Sequence, residues 1–175
     1  MKRTLLILRH GKSSWADTGL SDHDRPLKLR GKMDAPRMAM LMQSEEIIPD
    51  RILSSTAVRA RRTAELVASV FGRDATDVEL VASLYLAEPE EIVQLLGSLP
   101  DDCERPLIVG HNPGLEDLVE SLTGARRRMT TAALARVDLE LDKWSDLEAN
   151  PTKTMDSKVW RPSELDDLPE ITRRP

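Results

Sequence analysis

The sequence predicts an α/β fold: a single-domain three-layer sandwich in which a mostly parallel, mixed sheet carries helices on both faces. Three observations predict it. Short apolar runs suited to buried strands, Thr4 to Leu8 and Pro106 to Val109, alternate with longer segments of helical period. Both runs end abruptly at a histidine beside a glycine, in Arg9-His10-Gly11 and Gly110-His111-Asn112, and ligands collect beyond the carboxyl ends of strands in open α/β sheets. The last two strand-like segments follow short connections, which makes the sheet mixed rather than purely parallel.

The first strand is expected from Arg3 to Leu8, before a loop of small and polar residues that runs through Pro26. Helical signals begin near Lys28, with a core stripe of Met38, Leu41 and Met42; either Asp34 caps a helix that starts there or Pro36 kinks one already begun. A second strand, Arg51 to Ser54, leads through Thr56 as a cap into a helix whose Ala60, Ala64, Val67 and Phe71 share an apolar face. Val78 to Val81 forms a short third strand, and Pro89 to Leu96 a helix closed by Gly97. The fourth strand, Leu107 to Val109, feeds a helix with Asn112 as cap, Pro113 first, Leu115, Leu118, Val119 and Leu122 inward, and Gly124 past its end. Ala133 to Leu141 alternates as a strand with one wetter face, Asp146 to Thr152 is a turn, and Lys153 to Trp160 is an edge strand. Residues 161–175, with three prolines, are expected to be an irregular tail.

A chain of 175 residues that is 40% hydrophobic fits one domain, residues 1–175, with a sizeable core. The net charge of −5 offers no footprint for nucleic acid or for an anionic membrane, so local cations must do any anion binding. Cys103 is the lone cysteine, which excludes an internal disulfide. The basic start Met1-Lys2-Arg3 precedes an apolar run of only Leu5 to Leu8 before Arg9, too short for a signal peptide or a span, so a cytoplasmic location is expected.

The chemistry-bearing residues point to a phosphoryl group. Arg59, Arg61 and Arg62 crowd the first turns of a helix, where the macrodipole is positive and extra cations are disfavoured unless an anion offsets them. The other reading is that all three form a solvated face, which suits Arg61 and Arg62; for Arg59 the residues alone leave both readings open. A phosphoryl group spreads charge over three oxygens, so catalysis consists largely of positioning it and stabilising that charge, a field that Arg9, Arg59 and a cationic His111 would supply. Either strand-end histidine could attack phosphorus; the sequence alone does not choose between them. The third histidine, His23, lies in the polar loop Ser21 to Pro26, where Arg25 reads as structural. Arg126, Arg127 and Arg128 read either as a solvated loop or as a contact for an acidic protein.

Arg9-His10-Gly11 after the first strand, Ser54-Ser55 followed by Arg59 and Thr63-Ala64, and the late Gly110-His111-Asn112 together resemble the histidine phosphatase superfamily, and within it the phosphohistidine phosphatases of the SixA type. The resemblance runs from Met1 to about Trp160. It implies a metal-independent phosphatase without a cofactor, acting on a phosphorylated protein or a small phosphorylated metabolite. His10 would be the nucleophile, and Arg9, Arg59 and His111 the groups around the phosphoryl oxygens. Arg9 should favour the neutral imidazole that a nucleophile needs, by charge repulsion. Gly11 would let the backbone approach the phosphate. Lys12 would either touch phosphate or stay exposed, and Ser55 would either bind it or support the turn. Many relatives protonate an alkoxide leaving group with a carboxylic acid after the third strand, where this chain offers Glu88; a glutamate directly before a helix-starting proline equally suits the helix dipole. Weak acid support favours phosphohistidine over an ester, because imidazole departs more readily than an alkoxide. The rival readings are a small-molecule phosphomonoesterase that uses Glu88 as acid and a catalytically idle phosphate or phosphoprotein-binding module.

Overall fold

Residues 2–147 and 154–165 are described by a computed structural model. Strand β1 (Lys2–Arg9) buries Leu5, Leu6, Ile7 and Leu8 completely, since both faces of the sheet are covered. It pairs in parallel with β4 (Pro106–Gly110), which pairs in parallel with β2 (Arg51–Ser55), and β2 with β3 (Val78–Val81). On the other side β5 (Leu134–Glu140) runs antiparallel to β1, and β6 (Thr154–Trp160) antiparallel to β5. The order is β3-β2-β4-β1-β5-β6, a mixed and mostly parallel sheet.

Side chains alternate across β1, so Leu6 and Leu8 join Met38, Met42, Ala60, Ala64 and Val67 of α1 (Leu29–Ser44) and α2 (Val58–Val70) on one face. Leu5 and Ile7 join Ile92, Leu96, Leu115 and Leu118 of α3 (Pro89–Gly97) and α4 (Gly114–Thr123) on the other. This is the expected three-layer arrangement. Registration of Arg9 opposite Gly110 makes β1 and β4 end level, so His10 and His111 emerge side by side.

Several local expectations are corrected. Helix α1 begins at Leu29, as the signals near Lys28 predict, and of the two alternatives the Asp34 cap is the one that fails; the preceding loop is paired, with Ser13 bridging Leu27 and the Lys28 N–H donating to the Lys12 carbonyl at 2.8 Å. Pro36 therefore lies inside the helix, and buried Asp34 pairs with Arg30 at 3.4 Å and Arg37 at 3.3 Å. Thr56 does not cap α2; the cap position is Ala57, whose N–H reaches the Ser55 hydroxyl at 3.2 Å, while the Thr56 hydroxyl pairs with His23 Nε2 at 3.0 Å. Asn112 does not cap α4 either. Its amide turns to Glu116 Oε1 (3.0 Å) and the Met129 carbonyl (2.9 Å), and the helix starts at Gly114 after a cis Asn112–Pro113 bond.

The alternation of β5 is as expected, with Arg136 half-buried and Glu140 exposed on the wetter face, but Asp138 on that face is buried and paired. The Thr4 hydroxyl donates to it at 2.7 Å and Lys2 at 3.1 Å. The first residues of the expected irregular tail are also ordered. Pro162 to Glu164 form a tight helical turn that seats Leu165 in the α1 side of the core, where Arg37 donates to its carbonyl at 3.0 Å. Residues 166–175 of that tail, most of the expected turn to Thr152, and Lys153 lie outside the described residues. No described helix is long and apolar enough to cross a membrane.

Candidate active site

The carboxyl ends of β1 and β4 open into a cleft of about 400 Å³. Four cations line it, Arg9, Lys12, Arg25 and Arg59, against one carboxylate, Asp22, so a chain of net charge −5 presents a locally positive well. Such a cleft focuses field on an incoming anion.

His10 is buried at the floor with its tautomer fixed on both sides. A carbonyl only accepts, so Nδ1–H donates to the Gly11 carbonyl at 2.8 Å. Nε2 accepts from Arg59 Nε–H at 3.2 Å, so its lone pair is directed at that guanidinium. Burial pushes the imidazole down to about 3, with the charges of His111, Arg59 and Arg9 acting in the same direction. The neutral form expected from Arg9 is therefore present, but desolvation is the main cause and Arg9 the smallest named.

His111 faces His10 with ring centroids 5.1 Å apart. Arg59 Nη2 donates to its Nδ1 at 3.4 Å, so the neutral ring carries its proton on Nε2 and donates to the Ser55 hydroxyl at 2.8 Å. Burial, then Arg59, pushes this imidazole down to about 4. The expected cationic His111 is thus corrected for the free protein: a neutral ring stands there, and the positive field comes from the arginines and Lys12.

Arg59 reaches both histidines from the first turn of α2, and it is itself held by Asp22. Nη1 donates to the Asp22 carbonyl at 2.5 Å and Nη2 to its carboxylate at 3.0 Å. The Tyr85 hydroxyl donates to the same carboxylate oxygen at 2.7 Å, and Arg25 Nη1 to the other at 2.8 Å. These bonds, Tyr85 first, hold the Asp22 carboxyl at about 2, and the Tyr85 phenol is raised in return. Tyr85 also stands edge-on to His111, with centroids 5.5 Å apart.

The other expected site residues divide. Arg9 lines the cleft, with Nη1 donating to the Met129 carbonyl at 3.0 Å and a buried Nε lacking a hydrogen-bond partner. Lys12 is exposed on the rim. Ser55 is corrected as a phosphate contact: it is fully buried behind His111 and orients that ring. Gly11 is corrected too, since its N–H is taken by the Thr63 hydroxyl at 3.0 Å and its missing side chain serves packing. A Cβ there would lie 2.8 Å from the Gly31 carbonyl. Glu88 does not line the cleft; exposed at the start of α3, its N–H is capped by the Glu91 carboxylate at 2.9 Å. Arg61 and Arg62 are exposed and share Glu65, as a solvated face should. Among the described residues no three His, Cys, Asp or Glu side chains converge as metal ligands.

Asp22 and Tyr85 are the residues that sequence reasoning missed. Asp22 is one acid among several in a polar loop, and its partners lie 37 and 63 positions away. The one available signal was that Tyr85 is the sole tyrosine of the chain.

Residues 5–143 match the family model described as histidine phosphatase superfamily, branch 1. An uncharacterised chloroplastic protein of Arabidopsis thaliana is 34% identical over 155 residues, 83% of this chain and 71% of the relative. A solved structure from Nakamurella multipartita, a candidate phosphohistidine phosphatase SixA, superposes with a TM-score of 0.77 at 25% identity, covering 90% of this chain and 96% of that one. The protein histidine phosphatase SixA complexed with tungstate superposes with a TM-score of 0.70 at 26% identity, covering 78% and 88%.

Proposed function

The chain belongs to the histidine phosphatase superfamily, and from that membership we propose that it is a phosphatase which removes the phosphoryl group from phosphohistidine in a protein, through a covalent intermediate on His10. His10 Nε2 attacks phosphorus, a new P–N bond forms, and the P–N bond of the substrate breaks as its imidazole, protonated by solvent on the other ring nitrogen, leaves as a neutral ring. Water then attacks the phosphorus on His10, the phosphoryl group departs as inorganic phosphate, and the proton passes to solvent. The buried, neutral imidazole, with Nδ1–H tied to Gly11, needs no base; its Nε2 lone pair becomes available once Arg59 turns from it to the phosphoryl oxygens. Arg9 and Arg59 stabilise the charge on the non-bridging oxygens, the task that metal ions perform in other phosphatases.

The observation that carries the substrate is the state of the carboxylates. Asp22, the carboxylate of the cleft, is held ionised by Tyr85, Arg59 and Arg25, and so cannot give a proton to an alkoxide. Glu88 stands outside the cleft at a helix start. A leaving group that needs little protonation, imidazole, suits this equipment. Tungstate in a related fold supports the oxyanion pocket.

The test compares a phosphohistidine protein with an aliphatic phosphate ester, using the parent chain and Glu88→Gln after chelator treatment. Fast P–N hydrolysis, slow ester hydrolysis, no effect of Glu88→Gln, and radiolabel trapped on His10 are expected. Ester hydrolysis that falls about a hundredfold in Glu88→Gln would establish the metabolite phosphatase instead. Bound phosphoprotein without phosphate release would establish a binding module.

A further inference from the structure

Two large apolar side chains line the cationic cleft and yet stand in solvent: Trp15 is 69% exposed and Leu86 53% exposed. Neither is loose. The Trp15 indole lies against the Arg25 guanidinium, whose carbon is 3.3 Å from the ring centroid, and Arg25 is buried and fixed by the Ser14 carbonyl at 3.1 Å and by Asp22. Leu86 adopts a left-handed backbone, φ +52°, which costs an L-residue with a branched side chain on the order of 1 kcal/mol. Its neighbours impose that conformation. Tyr85 is tied through its hydroxyl to Asp22, and the Ala87 carbonyl sits where a side chain on Gly114 would be, 1.9 Å from that absent Cβ. Both anchoring chains therefore meet at Asp22, which takes Arg25 on one oxygen and Tyr85 on the other.

Resting on the phosphohistidine reading above, we propose that Trp15 and Leu86 are two apolar jaws that receive the histidine side chain of a protein substrate, and thereby set specificity for protein-borne phosphohistidine. Both exposed apolar side chains line the same cleft as the anion-binding cations, where a substrate that enters would meet them. An imidazole with its aliphatic stem and flanking residues buries apolar area against both. A polyhydroxylated phosphate ester would instead turn hydroxyl groups toward an indole and a leucine that offer no hydrogen bonds, a desolvation without return. Asp22 acts on the jaws as a positioning residue.

The experiment measures steady-state kinetics on a phosphohistidine protein and on phosphoramidate, which keeps the P–N bond but has no ring and no protein. Trp15→Ala and Leu86→Gly are used; glycine accepts the positive φ and so removes the side chain without opposing the backbone. KM for the protein should rise about tenfold in each variant, equivalent to about 1.4 kcal/mol of lost contact, with kcat retained. Trp15→Phe should recover most of the loss, and phosphoramidate turnover should stay within about twofold of the parent. Equal losses on phosphoramidate, or an unchanged KM for the protein, overturn the jaws. A parent chain that leaves phosphohistidine untouched but cleaves an ester overturns the substrate reading and this proposal with it. A parent active on phosphohistidine with indifferent variants overturns the jaws alone.

Discussion

The two site histidines are unlike ordinary surface imidazoles because each ring nitrogen already has an assigned partner. His10 gives its Nδ1 proton to Gly11, and His111 gives its Nε2 proton to Ser55. Burial then removes the solvent that would stabilise either cation. Imidazole nitrogen resonances should therefore keep His10 in the Nδ1–H neutral tautomer throughout pH 5–8, with its midpoint displaced to about 3. A midpoint near 6.5, the ordinary value, would contradict the geometry. The sequence made His10 and His111 legible because each follows an apolar strand-like run, and Arg59 because it crowds a helix start and falls on the family motif. It made Asp22 and Tyr85 illegible because a hydrogen bond between two loops leaves no periodicity behind. Ser55 and Gly11 lay between these cases. Their proximity to the site was readable, but which way a hydroxyl or an N–H points depends on packing against His111 and Thr63.

Between elements, the site depends on a close approach that only glycines permit. A Cβ on Gly31 would lie 2.4 Å from the Lys12 carbonyl and 2.7 Å from its nitrogen, so the first turns of α1 sit directly beneath the loop that leaves β1. Gly31→Ala should push these apart, with a cost of about 1–3 kcal/mol, the range for overpacking a filled interior. A lower urea midpoint with unchanged slope, together with a reduced kcat, is the expected result; an unchanged midpoint would show that the contact is soft. The strands and the inward faces of the helices were legible from period alone, since Leu5 to Leu8 and the Leu115, Leu118 and Leu122 stripe must be covered. Helix starts were less so. Asn112 has the chemistry of a cap, but Glu116 and the Met129 carbonyl claim its amide. The turn that seats Leu165 has local signals that sequence reasoning missed, Pro162 at its start and Glu164 accepting from the Arg161 N–H at 3.0 Å.

For the molecule as a whole, two imidazoles kept neutral inside the fold make stability depend on pH. Their folded-state values, about 3 for His10 and about 4 for His111, lie below the 6.5 of the unfolded chain. The unfolded state therefore binds more protons between pH 6.5 and those values, and stability, complete above 6.5, falls as pH drops. Each imidazole contributes a slope of up to about 1.4 kcal/mol per pH unit across that window. Denaturation curves from pH 7 to pH 4.5 should show this loss, and His111→Gln should remove about half of the slope. A flat profile above pH 5 would mean that both rings titrate normally. Arg59 carries a consequence of another kind. Its guanidinium is already engaged by Asp22, through both the main chain and the carboxylate, before any phosphate arrives. On the proposed reading, an entering oxyanion would compete for it with an anion that never leaves the molecule, so part of the attraction of the cleft would be spent on the exchange. When inorganic phosphate departed, the same carboxylate would take the arginine back. A built-in counter-ion of this sort would keep a strongly cationic well from becoming a trap for its own product.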